Sequence, residues 1–259
     1  MLTRTARLPD AVVRYGGHAD AVIDLHLPTQ GLSATSPPVL LVVLLHGGFW
    51  QVDYDRRHTR PLAEALARHG CVVATPEYRR VGGVGDLAGG WPVTFDDVTA
   101  AMCALPGLLA GLGIAVGRTT VLGHSAGGQL ALWLANERFP TDRVVALAPV
   151  GDLRSAAAEH LGTDAVQALL GGEPGEVPER YDAADPMRRL ARRPGCEVVL
   201  VHGDRDDVVP VTQSRRLRAA YPFVALHELA DVEHYALIDP LSAAWPVVRA
   251  AVMASTVTV

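Results

Sequence analysis

Short runs rich in Val, Leu and Ala alternate with longer stretches of helical spacing along nearly the whole chain. The runs Val39–Leu45, Cys71–Thr75, Thr119–Leu122, Val144–Ala148, Glu197–Val201 and Val224–Leu229 read as strands. Several are apolar at consecutive positions, as a parallel strand covered on both faces should be. Between them, helical patterns occupy about Arg57–Arg68, Phe95–Leu112, Ala126–Glu137, Val211–Ala220 and Leu241–Ala254. Thr94, with Asp97 three residues on, predicts a capping box at the start of the second helix.

Strands alternating with helices imply βαβ units, right-handed crossovers and a doubly wound, mostly parallel α/β sheet. The beginning differs. Val12–Tyr15 and Ala21–Leu27, around Gly16 and Gly17, read as a hairpin and therefore as antiparallel edge strands. The rhythm also breaks between Leu153 and Cys196, a stretch rich in Gly, Pro and charge with short helical patterns such as Asp164–Leu170. An insertion there, about 153–196, is expected to wall a site as a small lid within a single domain spanning 1–259.

Composition narrows the classes. A chain of 259 residues with 49% apolar and 20% charged positions can bury a full core. The net charge of −5 argues against a nucleic-acid partner. No continuous apolar run reaches the roughly 18 residues of a membrane span, and no secretory pattern opens the chain, so no membrane partner and a cytoplasmic location are expected. Cys71, Cys103 and Cys196 form no CxxC pair and read as reduced, buried small residues. Every one of the 23 basic residues is Arg, so no Lys can act as a Schiff-base nucleophile.

The candidate chemistry starts at Gly123-His124-Ser125-Ala126-Gly127, a GxSxG pentapeptide between the strand TTVL and a helical run. A sharp strand-to-helix turn there would lift the Ser125 hydroxyl above the sheet. The bland alternative is a Gly-rich turn in which Ser125 only caps the helix. A serine hydroxyl needs a base, and enzymes with such a turn carry acid and His later in the chain. Asp206, within the stretch His202–Pro210 after the strand EVVLV, is the chosen acid, with Asp204 and Asp207 as alternatives. His234 is the only His beyond the last predicted strand and is the expected base, whereas His124 and His202 are assigned packing or hydrogen-bonding roles. His46-Gly47-Gly48-Phe49-Trp50 follows the first parallel strand, and the N–H groups of Gly48, Phe49 and Ala126 are the expected oxyanion donors. Phe49, Trp50 and Trp91 are candidate substrate contacts.

Together HGGFW, Glu77–Arg80 (EYRR), Gly89–Pro92 (GGWP), GHSAGG, HGDRDDVVP and EHYALIDP make the chain resemble an α/β-hydrolase over nearly its full length. Within that superfamily it is similar to the arylformamidase (kynurenine formamidase) branch and to small carboxylesterases of the hormone-sensitive-lipase type. Phe49 stands where the lipase-like HGGG form has its third Gly, which tilts the resemblance away from that subgroup. The resemblance implies acyl transfer through Ser125, His234 and Asp206 on a small-molecule ester or aryl formamide, without metal or organic cofactor. The competing expectations are a non-hydrolytic descendant (cyclase, lyase or binding protein) and a prolyl-oligopeptidase-like peptidase. The protein is expected to be a monomer or a homodimer.

Overall fold

The computed structural model describes residues 4–32 and 37–254. Eight strands form one sheet: β1 (Ala11–Arg14), β2 (Val22–His26), β3 (Val39–Leu45), β4 (Val72–Pro76), β5 (Val116–His124), β6 (Arg143–Leu147), β7 (Glu197–Gly203) and β8 (Ala225–Leu229), in the spatial order β1-β2-β4-β3-β5-β6-β7-β8. The hairpin β1–β2 is antiparallel and β2 pairs antiparallel with β4, while every pairing from β4 through β3, β5, β6 and β7 to β8 is parallel. The expected edge hairpin and parallel body are both present.

Helices follow the strands: α1 (Arg60–Arg68), α2 (Val93–Gly111), α3 (Ala126–Leu134), four short helices α4 (Leu153–Ala158), α5 (Ala165–Leu170), α6 (Pro178–Ala184) and α7 (Pro186–Arg189), then α8 (Thr212–Ala220) and α9 (Trp245–Met253). The period-2 alternation of the strands divides the core into two layers. Leu41, Val43 and Leu45 face the layer of α2, α3 and the short helices, whereas Val42 and Leu44 face the layer of α1 and α9. Both faces of β3 are covered from Leu41 to Leu45, which is why it is written as seven consecutive apolar residues.

Several boundaries differ from the pattern reading, among them β5, which runs Val116–His124, and α3, which ends at Leu134; three others have a visible cause. α2 begins at Val93, and Thr94 is not its cap: its hydroxyl donates to the Arg79 carbonyl at 2.7 Å and accepts from Gly90 N–H. Asp97 likewise turns away from the helix end to bind Arg79 and His18. The capping-box residues therefore tie α2 to the segment after β4, a tertiary demand that composition alone does not reveal. α9 begins at Trp245 instead of Leu241, because Asp239 and Ser242 close a turn ahead of it. A 3₁₀ turn, Arg56–Thr59, precedes α1, whose first turn holds Pro61. The 19-residue α2 is long and apolar enough by length and composition to cross a membrane, although no continuous run is; here Phe95, Val98, Ala101, Met102, Leu105 and Leu109 are buried in the core.

The segment 153–196, between β6 and β7, is tied to α3. Gln129, Trp133 and Asn136 of α3 and its end donate side-chain hydrogen bonds to the carbonyls of Ala184, Ala183 and Arg189.

Candidate active site

Ser125 sits between β5 and α3 with φ 57° and ψ −120°, a conformation that costs an L residue on the order of 1–3 kcal/mol. Its N–H is fixed to the Leu147 carbonyl at 2.8 Å. The turn is feasible only because its flanks lack side chains: a Cβ on Gly123 would meet the Gly127 carbonyl at 2.0 Å, and one on Gly127 would meet the Leu45 carbonyl at 2.2 Å. Ser125 does not cap the helix with its side chain.

Ser125, His124 and His234 line one small cavity of about 70 Å³, together with Gly48, Phe49, Tyr54, His58, Val208 and Tyr235. His234 opens a 3₁₀ turn after β8 and is buried. Its Nδ1 lies 2.6 Å from Asp206 Oδ2. Asp206 follows β7, and its Oδ1 accepts from the N–H groups of Val208 and Val209 at 2.9 and 2.7 Å. Burial alone would raise the Asp206 carboxyl, but the imidazoles of His202 and His234 outweigh it and hold it below the usual carboxylate range. The alternatives point elsewhere: Asp204 accepts from Asp231 N–H, and both Asp204 and Asp207 are at the surface rather than against His234.

The other wall is backbone. Gly48, Phe49 and Trp50 run consecutively through positive φ (109°, 49° and 56°), closed by a Gln51 N–H to Gly48 carbonyl bond of 2.9 Å. Among the described residues nothing accepts a hydrogen bond from the N–H of Gly48, Phe49 or Ala126. The expected donors are thus unspent, and both Gly48 and Phe49 border the cavity of Ser125.

Of the three candidate substrate aromatics, the structure keeps one at the cavity. The Phe49 ring packs so closely on Gly162 of the insertion that a Cβ there would lie 2.6 Å from it. Trp50 is wholly buried, donating its indole N–H to Gln129 at 3.2 Å, so its positive φ turns it into the core. Trp91 packs edge-on against Phe95 at 5.0 Å and is not part of the cavity wall.

The motif reading passed over what stands behind the Gly48 turn. His46 Nδ1–H donates to the Gly47 carbonyl at 2.8 Å and Nε2 lies 2.8 Å from Glu77 Oε1. The Tyr78 ring stacks on His46 at 4.3 Å and its hydroxyl donates to the His46 carbonyl. Glu77 also accepts from Arg56 N–H and faces Arg80 at 3.1 Å, while Asp24 pairs with Arg56 and Arg60. Burial raises the Glu77 carboxyl, but His46 and Arg80 bring it down to about 2. His58 and Tyr54 were also missed; burial and the nearby His46 lower His58 to about 4, so it is neutral at pH 7. One signal was available, since EYRR is a polar run directly beyond a parallel strand's C-terminal end, where sites are built.

His124 donates from Nε2 to the His234 carbonyl at 3.2 Å, the hydrogen-bonding role expected for it. Burial, then His234, lower it well below the usual histidine range. Among the described residues no group of His, Cys, Asp and Glu is arranged to hold a metal ion.

A family model, BD-FAE, matches residues 23–221. No curated protein matches the chain. Among solved structures, esterase B from Lactobacillus rhamnosis inhibited by a tributyrin phosphonate shares 18% identity at a TM-score of 0.73, covering 94% of this chain and 84% of that one. Thermogutta terrifontis esterase 2 phosphonylated by sarin shares 19% at a TM-score of 0.72, covering 94% and 92%. A truncated carbohydrate esterase from gut microbiota shares 18% at a TM-score of 0.73, covering 88% and 92%. At these identities the likeness shows the fold, which is that of the α/β-hydrolases.

Proposed function

The chain belongs to the BD-FAE family, and from that premise we propose that it is a serine hydrolase of small-molecule carboxylic esters or aryl formamides. The observation that carries the reading is Ser125 on a left-handed turn, sharing one cavity with His234, whose Nδ1 is 2.6 Å from the buried Asp206. Esterases of the same fold that carry phosphonates support it. A carboxylate at that distance fixes the imidazole with its proton on Nδ1, leaving Nε2 free as base. His234 would take the Ser125 proton as Oγ attacks the carbonyl carbon. The oxyanion would fall to the N–H groups of Gly48, Phe49 and Ala126, each worth roughly 10²–10³ in rate. His234 would then protonate the departing alcohol or amine, and water would release the acid by the same steps in reverse.

The cavity favours a small acyl group. About 70 Å³ is well below the roughly 300–1,000 Å³ of sites for drug-sized ligands, and Phe49, which lines the cavity, packs on Gly162. The test is kcat/KM for a short-chain aryl ester beside N-formylkynurenine, with Ser125→Ala as blank. Formamide turnover at or above the ester assigns it to arylformamidase chemistry, and ester turnover alone makes it a carboxylesterase. Silence on both with folded protein contradicts the reading and favours a cyclase, lyase or binding protein.

A further inference from the structure

The acid of the site has a second imidazole beside it. His202, at the end of β7, is completely buried, and its Nε2 lies 2.9 Å from the Val209 carbonyl and 3.3 Å from Asp206 Oδ2. A carbonyl can only accept, so Nε2 carries a proton. Its Nδ1 lies 2.7 Å from the hydroxyl of Ser214 on α8, which is also fully buried. Ser214 has no other hydrogen-bond acceptor among the described residues, so the hydroxyl donates to Nδ1 and fixes the tautomer. Val209, whose carbonyl His202 holds, is the residue whose N–H holds Asp206 Oδ1 at 2.7 Å. The ring therefore touches the acid twice, once directly and once through the turn that carries it.

We propose that His202, oriented by Ser214, is a positioning residue that fixes the Asp206 carboxylate for His234 and shares its negative charge. The relay runs Ser214, His202, Asp206, His234, with proton donors pointing inward to the carboxylate from both imidazoles, and His234 shares its cavity with Ser125. The inference rests on the reading of Ser125, Asp206 and His234 given above. Because His202 draws on the same Oδ2 as His234, its removal has two effects of different kind. The carboxylate loses its second anchor, and its charge falls on His234 alone.

The other groups facing this chain are named by the fold. Glu228 of β8 lies across the sheet from His202. His124 and Tyr235 stand 4.5 and 5.1 Å from the His234 ring, and His58 and Tyr54 share its cavity. None of them reaches Asp206 by a hydrogen bond among the described residues, so a change at His202 acts on His234 through the carboxylate.

The experiment compares His202→Leu, His202→Gln and Ser214→Ala in the full chain. Two readouts are used: the pH profile of kcat/KM on a short-chain aryl ester, and the low-field proton resonance of His234 Nδ1–H. In His202→Leu, misaiming of this kind costs on the order of 10–100-fold in kcat/KM. Its acid limb moves to higher pH, since an unshared carboxylate favours the imidazolium, and the Nδ1–H resonance shifts. His202→Gln, which keeps an N–H donor, restores most of the activity and the resonance. Ser214→Ala falls between them. Equal losses in Leu and Gln, with the acid limb and the resonance unmoved, overturn the proposal and leave His202 as packing. The resonance is read without substrate, so an inactive wild type would sink the hydrolase reading while still deciding the role of His202. Should His202→Leu fail to fold, the shift expected in Ser214→Ala decides it.

Discussion

The two walls of the cavity are held by different means. On the side of Asp206 and His234 the reacting groups are side chains held locally: two backbone N–H groups and the His202 ring hold one carboxylate, which holds His234 through a 2.6 Å contact. On the side of Gly48 and Phe49 the candidate donors are backbone N–H groups in the left-handed region, which no rotamer can aim. There the chain spends buried charge instead. His46, Glu77, Arg56, Arg80 and Asp24 form a continuous network under the turn, with Tyr78 stacked on His46. A side-chain site is aimed from within a loop, whereas a backbone site is aimed by fixing everything beneath the loop.

Asp206→Asn and Glu77→Gln separate the two devices. Asp206→Asn keeps an acceptor for the turn but offers His234 the wrong partner, and the expected loss in kcat/KM is on the order of 10³–10⁴, with a smaller fall in Tm than Glu77→Gln gives. Glu77→Gln leaves buried His46 without its carboxylate and takes from Arg56 and Arg80 one of the two acidic partners each has, so the order of effects reverses. Stability falls by about 3–5 kcal/mol, read as a lower Tm, while kcat falls roughly 10–100-fold through the displaced Gly48–Phe49 turn. Equal stability losses in the two variants would erase the distinction between the walls.

The same contrast explains what could be read along the chain. Order and local context led to Ser125, Asp206 and His234, and the structure brings all three to one place because each sits just past a strand's C-terminal end. The network beneath Gly48 was largely illegible: Glu77 stood in a polar run, but its partners Asp24 and the Arg56–Arg60 pair come from two other segments and alone look like surface charge. Trp50 was misplaced for a related reason: its direction is set by a positive φ that no neighbouring residue announces. The sheet was easier, because the unbroken apolar runs of β3 and its neighbours state both the strand and its two buried faces.

The smallest effect concerns a carboxylate outside both walls. Asp185, which caps α7 and accepts from Leu153 N–H at 3.1 Å, is raised by burial to about 6, and among the described residues no cation pairs with it as with Glu77. A raised carboxyl stabilises the fold fully below its unfolded value near 3.8, and that contribution is lost as pH rises through 6. Asp185→Asn keeps the acceptor oxygen without the charge. Thermal melts should then match wild type at pH 4 and exceed it by a few degrees at pH 8, at about 2–4 °C per kcal/mol. A variant less stable than wild type at pH 8 would show that the charge is needed there.

The central claim is that Ser125 is an activated nucleophile. Its most direct measurement is reaction with a fluorophosphonate followed by intact mass and peptide mapping. One adduct per chain on Ser125, absent from Ser125→Ala and strongly slowed in His234→Ala, is the predicted result. A folded protein that takes no adduct, or takes it at another residue, contradicts the account.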